Sequence, residues 1–337
     1  MKALVLSGGR GTRLRPLTFT CTKQLIPIAN KPILGYVLDQ VALAGLKTVG
    51  IIIAPKTGQG VKDYVNDGSH WGFKVQYILQ EPLGVAHAIK TAQPFLEQDP
   101  FVMYLGDNII GQGLDLFIKK FKKEKLDALI ILKEVKKPSD FGIAQLNTEG
   151  HLLKVTEKPK KPTSNLAITG ICIFSRKIHL AIERIQPSRR GELELTDAIQ
   201  EMINMGFAVK AELLNTWWID TGKKANLIAA NAKILETYLQ PDIKGILTNS
   251  TVNGCVKIDS STTITNSTLQ GPCIIGKHVT ITNSSIGPHV SIGDNTYILN
   301  SNIQNSIIQE NTTIKNIKHL KNTLSEKNTN LTSKTTL

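Results

Sequence analysis

The chain is poor in cysteine and in aromatic residues, and it lacks any apolar run of membrane-spanning length. Its four cysteines (Cys21, Cys172, Cys255, Cys273) are scattered over 337 residues without a Cys-x-x-Cys pair. That spacing argues against a disulfide framework or a cysteine zinc site and is read as buried thiols in a reducing cytoplasm. No apolar run approaches the ~18 residues that a spanning helix needs. The first six residues, MKALVL, run straight into a strand pattern that leaves no room for a signal peptide. Aromatic residues make up only 5% of the chain and do not interleave with basic ones. The formal net charge of +13 is therefore not read as a DNA or RNA surface. Much of the excess lies in KKFKKEK from Lys119, in EKPKK from Glu157 and in a lysine-bearing tail. The first of these reads as the solvated face of a helix, and anionic small substrates explain a basic balance equally well.

Familiar catalytic signatures are missing too. No serine nucleophile elbow and no metal-binding histidine pair occurs, and the seven histidines are scattered. The glycine-rich loop in LVLSGGRGTRLRPLT, from Leu4, has no P-loop lysine, and Leu14 stands where a dinucleotide fingerprint needs its third glycine. The loop still combines Gly8, Gly9 and Gly11 with arginines. Glycines let backbone amides approach an anion, and arginines clamp phosphate oxygens.

Buried strands alternate with helical periodicity across the first part of the chain. ALVLS, TVGIIIA from Thr48, KVQYILQ from Lys74, PFVMYLGD from Pro100 and DALIILKEV from Asp127 read as strands. ILGYVLDQVALAGL from Ile33 and AHAIKTAQPFL from Ala86 read as helices. This alternation predicts an α/β domain with a mostly parallel sheet covered on both faces. Ligands of such sheets bind beyond the carboxyl ends of the strands, where SGGRGTR and GDN both fall. A helix within GELELTDAIQEMINMG is expected to be capped near Thr196 or Asp197. A last helix, KKANLIAANAKILETYL, closes the domain near residue 240.

Beyond it the composition turns to Asn, Ser, Thr, Ile and Gly. Aliphatic residues recur every five or six positions, from Ile258, Ile264 and Leu269 through Ile303, Ile308 and Ile314. One inward aliphatic per short side is the hexapeptide signature of a parallel β-helix, expected over 245–317 as three or four coils. Residues 318–337 lose the pattern and read as a flexible tail.

Asp107 ends a strongly apolar strand, and Asp220 sits between Ile219 and Thr221-Gly222. Two such carboxylates could share a Mg²⁺, which is normally held by one or two carboxylates plus phosphate oxygens; the alternative for each is a helix cap. Lys23-Gln24 adds a cation and an amide, with a plain surface lysine as the alternative.

Taken together, LSGGRGTRLRPLT, TKQLIPI, GDGSHWG, LGDN, EKP…SNLAITGI, RGELELTD and WWIDTG resemble the sugar-nucleotidyltransferases over residues 1 to about 240, in that family's order. The C-terminal repeats resemble the longer members. The resemblance implies a Rossmann-like three-layer α/β/α domain (1–240) followed by a left-handed β-helix. It also implies a Mg²⁺-dependent reaction in which dTTP and α-D-glucose 1-phosphate give dTDP-glucose and pyrophosphate by direct in-line attack. Carried over by position, Leu6, Gly8, Gly9, Gly11, Thr12 and Arg13 belong to the nucleotide site, with Arg13 neutralising the departing pyrophosphate. Lys23 is expected to hold phosphate oxygens, and Gln24, Gln80 and Gly84 to read the thymine edge. Asp107 and Asp220 are expected to hold the metal. Lys158, helped by Arg190, is expected to grip the sugar phosphate, while Asn108, Gly142, Glu157, Ile168 and Trp218 line the sugar pocket. The resemblance further implies a homo-oligomer. Three alternatives stay open: use of UTP, an acyltransferase on the β-helix around His278 and His289, and a non-catalytic paralogue.

Overall fold

The computed structural model of the chain describes residues 1–9, 11–19 and 22–333. Arg10, in the glycine-rich loop, and Cys21 lie outside them. Contacts divide the chain into two compact units, Met1–Leu25 with Ile33–Asp220, and Ile26–Pro32 with Thr221–Leu337.

The first unit is built on β1 (Lys2–Leu6), α1 (Ile33–Leu43), β2 (Thr48–Ile53), α2 (Gly58–Val65), β3 (Lys74–Leu79), α3 (Val85–Thr91) and β4 (Phe101–Leu105). These are followed by β5 (Asn108–Ile110), α4 (Asp115–Lys123), β6 (Ala128–Glu134), β7 (Gly142–Leu146), β8 (Leu152–Glu157) and β9 (Leu166–Phe174). It ends with α5 (Ile178–Ile182), α6 (Leu195–Asn204), β10 (Val209–Leu213) and β11 (Trp218–Asp220). The nine-stranded sheet runs β8-β7-β9-β4-β1-β2-β3, with β6 paired to β9 and β10 to β6. The predicted parallel core is present in β4-β1-β2-β3. β9 instead runs antiparallel to β4, β6 and β7, and β8 antiparallel to β7. Chain length explains the β7–β8 pair, because the short connection 147–151 cannot hold the crossover that parallel neighbours need.

Side-chain alternation sends each strand's residues to two cores. Ala3, Val5, Ile51 and Ile53 pack with Leu34, Val37 and Val41 of α1 and with Phe117 and Phe121 of α4. Leu4, Leu6 and Ile52 face the opposite way, onto Ala86 and Ile89 of α3, Ile178 of α5 and Ile199 of α6. Both faces are therefore covered, and only the strand ends are left for ligands. Cys172 is buried in the second of these cores, as a packed thiol.

The second unit contains the hairpin Pro27–Pro32, α7 (Lys224–Tyr238) and a prism of short strands. α7 groups with the prism by contact, whereas its helical pattern ends near residue 240 and had set the sequence division there. Its three parallel sheets hold five, six and five strands, and the register steps by 17 residues over most of its height, as in Ile264↔Ile281↔Ile298. Seventeen residues over three sides give the spacing of five or six seen in the sequence. Ile258, Ile275, Ile292 and Ile308 stack inside along one side, and Cys273 joins them in the core. Asn266, Asn283 and Asn300 turn the corners with left-handed backbone, which Asn tolerates better than most residues, and their amides form a ladder at 3.2 Å per step. The repeat continues past Ile317, where the pattern was expected to end: Leu320 and Leu331 are buried, and Asn330–Thr332 pairs with Thr313–Lys315. Leucines take the inward positions there and their spacing widens, so the tail's period escapes a search for isoleucine. This stack fits the left-handed β-helix that the resemblance implies.

Candidate active site

At the carboxyl end of β1 the chain leaves the sheet through Ser7, whose amide donates to the Ile52 carbonyl at 2.8 Å. Gly8 and Gly9 follow, and a Cβ on Gly9 would stand 3.3 Å from Cε of Lys23. Gly11 adopts φ 60°, a conformation that costs glycine nothing. Its carbonyl accepts from the Leu14 amide at 2.9 Å and the Thr18 hydroxyl at 2.7 Å, which bends the loop into a single 3-10 turn over Thr12–Leu14. Thr12 and Arg13 lie exposed on that turn. Gln24 is fully buried and accepts at Oε1 from the Thr22 hydroxyl, which leaves its Nε2 as the free half of the amide, facing Gly9.

Gln80 follows β3 and is anchored by its own amide, which donates to the Ile53 carbonyl at 3.0 Å. The loop behind it is clamped from an unexpected direction. Gly84 has φ 109°, and a Cβ there would lie 2.3 Å from the Leu193 carbonyl. Leu193 in turn donates to Leu83 at 2.9 Å and accepts from Ala86 at 3.1 Å. The GELELTD segment thus backs the QEPLG loop by backbone pairing, which no residue pattern announced.

The two predicted metal carboxylates come from one strand pair and its adjoining turn. β11 pairs antiparallel with β5, with Asp220 opposite Asn108, the residue that follows Asp107. Asp107 is 5% exposed and forms an ion pair with Lys23 Nζ, so the lysine left undecided by its sequence setting is a partner of the buried acid rather than a plain surface cation. Asn108 donates to Asp107 at 3.2 Å and accepts from Trp218 Nε1 at 2.6 Å. Gly170 leaves room for Asn108, since a Cβ would lie 2.7 Å from its Cγ. Neither aspartate serves as a helix cap. Two carboxylates and no third acid, histidine or cysteine in a cluster among the described residues suit a hard ion that fills its shell with phosphate oxygens.

The residues expected to border the sugar also converge. Gly142 and Glu157 are register partners across β7 and β8, and a Cβ on Gly142 would come within 3.2 Å of Glu157 and 3.7 Å of Ile168. Glu157 Oε1 accepts from Lys158 at 2.9 Å and Arg190 at 3.2 Å. Lys158 holds φ 39° at the end of its strand. Trp218 packs its ring at 5.2 Å from that of Phe141, beside the start of β7. Arg190 grips Glu194 with Nη2 at 2.8 Å to both oxygens. The Glu194 hydrogen bond, with Glu157 and Glu192 adding, holds the guanidinium above its ordinary value against the effect of burial. Burial, then the charges of Glu194 and Glu157, raise Asp197. Glu194 is also the N-cap of α6, two residues before the earliest cap expected. Its carboxylate is committed to Arg190 and Ser188 and makes no cap bond. Glu194, Leu193 and His87 are the residues that sequence reasoning missed. For Glu194 the one available signal was its place beside Arg190 in RGELELTD.

On the prism, His289 pairs with Glu236 at 2.9 Å and His278 sits at a corner with φ 52°. Neither lines the shallow hollow of about 490 Å³ formed by the Asn266, Asn283 and Asn300 ladder with Ser284, Ser301 and His319. No helix of the described residues is long and apolar enough to cross a membrane.

A family model described as "Nucleotidyl transferase" matches residues 2–237. The chain is 41% identical over 262 residues to the low-salt glycan biosynthesis nucleotidyltransferase Agl11 of Haloferax volcanii, covering 77% of this chain and 73% of that one. It is 44% identical over 254 residues to a glucose-1-phosphate thymidylyltransferase of Streptomyces antibioticus, covering 75% and 71%. Among solved structures, a Bacillus anthracis protein crystallised with sucrose and described as a glucose-1-phosphate thymidylyltransferase superposes with a TM-score of 0.66 at 30% identity, covering 69% and 94%.

Proposed function

The chain belongs to the nucleotidyl transferase family, and on that premise we propose that it joins dTTP to α-D-glucose 1-phosphate, forming dTDP-glucose and pyrophosphate. The observation that carries this reading is the arrangement around Asp107. A buried acid is paired with Lys23, a lysine that itself stands against the glycine loop; Asp220 lies opposite the residue that follows that acid, and Glu157 gathers a second set of cations. Two anionic reactants need such a layout, with a cation source for each and a shared centre between them.

In the proposed reaction a phosphate oxygen of the sugar phosphate bonds to the α-phosphorus of dTTP. The bond from that phosphorus to the β-phosphate oxygen breaks, and pyrophosphate leaves with the electron pair. No covalent enzyme intermediate is needed, so the rate comes from positioning and charge neutralisation. Amides of Gly8, Gly9 and Gly11 cradle the triphosphate, and Arg13 follows the charge onto the leaving group. Lys23, released from Asp107 as the phosphates enter, meets phosphate oxygens. Lys158 and Arg190 exchange carboxylate partners for the sugar phosphate, and Glu157 with Gly142, Ile168, Asn108 and Trp218 borders the sugar. Asp107 and Asp220 are the residues that would hold Mg²⁺, whose chemistry is to offset negative charge on the phosphates. These substrates put the enzyme in the cytoplasm, and the resemblance favours a homo-oligomer, which light scattering on the full chain tests.

The decisive assay is pyrophosphate release from four nucleoside triphosphates crossed with several sugar 1-phosphates. dTTP with glucose 1-phosphate is expected to lead, and a preference for GTP or CTP would overturn the base assignment.

A further inference from the structure

We infer that His87 is a positioning residue for base selection: it locks the Gln80 amide so that the site presents an acceptor to the base and selects a ring with an N–H there. The inference rests on the nucleotide reading above, in which Gln80 faces the base.

The polarity of this amide follows from its partners. One proton of Gln80 Nε2 goes to the Gly84 carbonyl at 3.3 Å. A carbonyl can only accept, so the nitrogen must be the atom on that side, which settles an orientation that side-chain amides usually leave to assignment. The same nitrogen stands 3.1 Å from His87 Nδ1. With Nε2 the donor, Nδ1 must be the acceptor and the ring proton must sit on Nε2 of the histidine. Thr91 does not compete, because its hydroxyl has one proton and gives it to the His87 carbonyl at 2.9 Å, with Nδ1 farther off at 3.4 Å. Burial and the nearby Lys90 hold the ring below its ordinary value, which favours the neutral form with the lone pair.

Both protons of the Gln80 amide are therefore occupied, and Oε1 is left without a partner among the described residues. An isolated glutamine reads a donor or an acceptor with equal ease by flipping. This one cannot flip without facing its oxygen to the Gly84 carbonyl and the His87 lone pair. Thymine and uracil carry a donor N–H at ring position 3, whereas cytosine carries a lone pair at that position. The lock admits the first two and rejects the third.

The test is steady-state kinetics of the full-length wild type, Gln80→Ala, His87→Leu and His87→Gln with dTTP, UTP and dCTP. For His87→Leu, the KM for dTTP is expected to rise about tenfold and the dTTP-over-dCTP preference to fall about tenfold, with kcat kept within about twofold. Gln80→Ala is expected to show the same pattern. His87→Gln, which again offers an acceptor, is expected to recover most of the preference. If Gln80→Ala loses base preference while His87→Leu keeps it, the lock is overturned and the nucleotide reading stands. Equal losses for dTTP and dCTP in His87→Leu would reduce His87 to a packing residue and overturn it as well. If Gln80→Ala leaves the preference intact, Gln80 does not face the base, and the reading and the lock fall together.

Discussion

The two sides of the candidate site are built from different materials. On the proposed nucleotide side Arg13 and Lys23 answer the phosphates, while the base is left to neutral groups, Gln24 and Gln80, whose hydrogen bonds already have a direction. The proposed sugar side is a mesh of full charges, in which Glu157, Glu192 and Glu194 share Arg190 and Lys158. Fixed polarity suits a ligand edge that must be told from similar edges, since a wrong base leaves donors or acceptors unpaired. Exchangeable ion pairs suit a phosphate that must enter and leave, because the cations have carboxylate partners waiting when the anion is gone. In the proposed reaction Asp107 serves both reactants through the metal, and the largest effects are expected there.

Asp107→Asn and Asp220→Asn remove the charges at the centre and cut off both sides at once. Each is expected to lower kcat by at least about a hundredfold, with circular dichroism unchanged. Chelation of divalent ions in the wild type is expected to abolish turnover, and restoration by Mg²⁺ checks the assignment. Near-normal rates in either variant would take that carboxylate out of the reaction.

A change on the sugar side is expected to separate the halves. Arg190→Lys keeps a charge but loses the fork that binds two oxygens at once. The KM for glucose 1-phosphate should rise by roughly tenfold to a hundredfold while the KM for dTTP stays near the wild-type value. Parallel rises in both constants would show that the charge mesh does not act on one substrate alone.

The nucleotide side is sharpened by substrate choice rather than by mutation. UTP lacks the 5-methyl group and adds a 2′-hydroxyl, and one methyl group in a pocket is worth about 1–3 kcal/mol. Its kcat/KM is expected to fall within about a hundredfold of that for dTTP. A wider gap would mean that the ribose or the methyl group, not the amides, dominates selection.

How much of this was readable beforehand depended on the length scale of the signal. Strands β1 to β4 and the 17-residue coils announce themselves because burial repeats along the chain. Asp107 was recognisable as a carboxylate ending a buried strand. Its neighbour Lys23 was not assignable, because 84 positions separate the pair. His87 carried no mark at all, since its role depends on which atom of Gln80 faces Gly84. The antiparallel course of β9 was not legible, because the partners β4 and β6 lie far from it along the chain and no local pattern records strand direction. Local pattern thus identified elements and candidate acids, while partner choice among polar groups came only with the fold.

The smallest effect is expected from acid, and it falls on one face of the sheet. His87 on α3 and His179 on α5 both lie below the ordinary histidine value of 6.5, each chiefly through burial. Lys90 lowers His87 further, whereas Glu183 raises His179 in part. His179 stacks near Phe101, and neither ring nitrogen has a hydrogen-bond partner among the described residues. A lowered folded-state value means that the unfolded chain takes up the proton more readily. The stability contributed by the neutral rings is therefore complete above pH 6.5 and is lost as pH falls through their lowered values. The melting temperature is expected to be lower at pH 5 than at pH 7, and His179→Leu, which keeps an apolar side chain without a titrating group, should shrink that difference. An undiminished difference in His179→Leu would move the acid sensitivity away from α5.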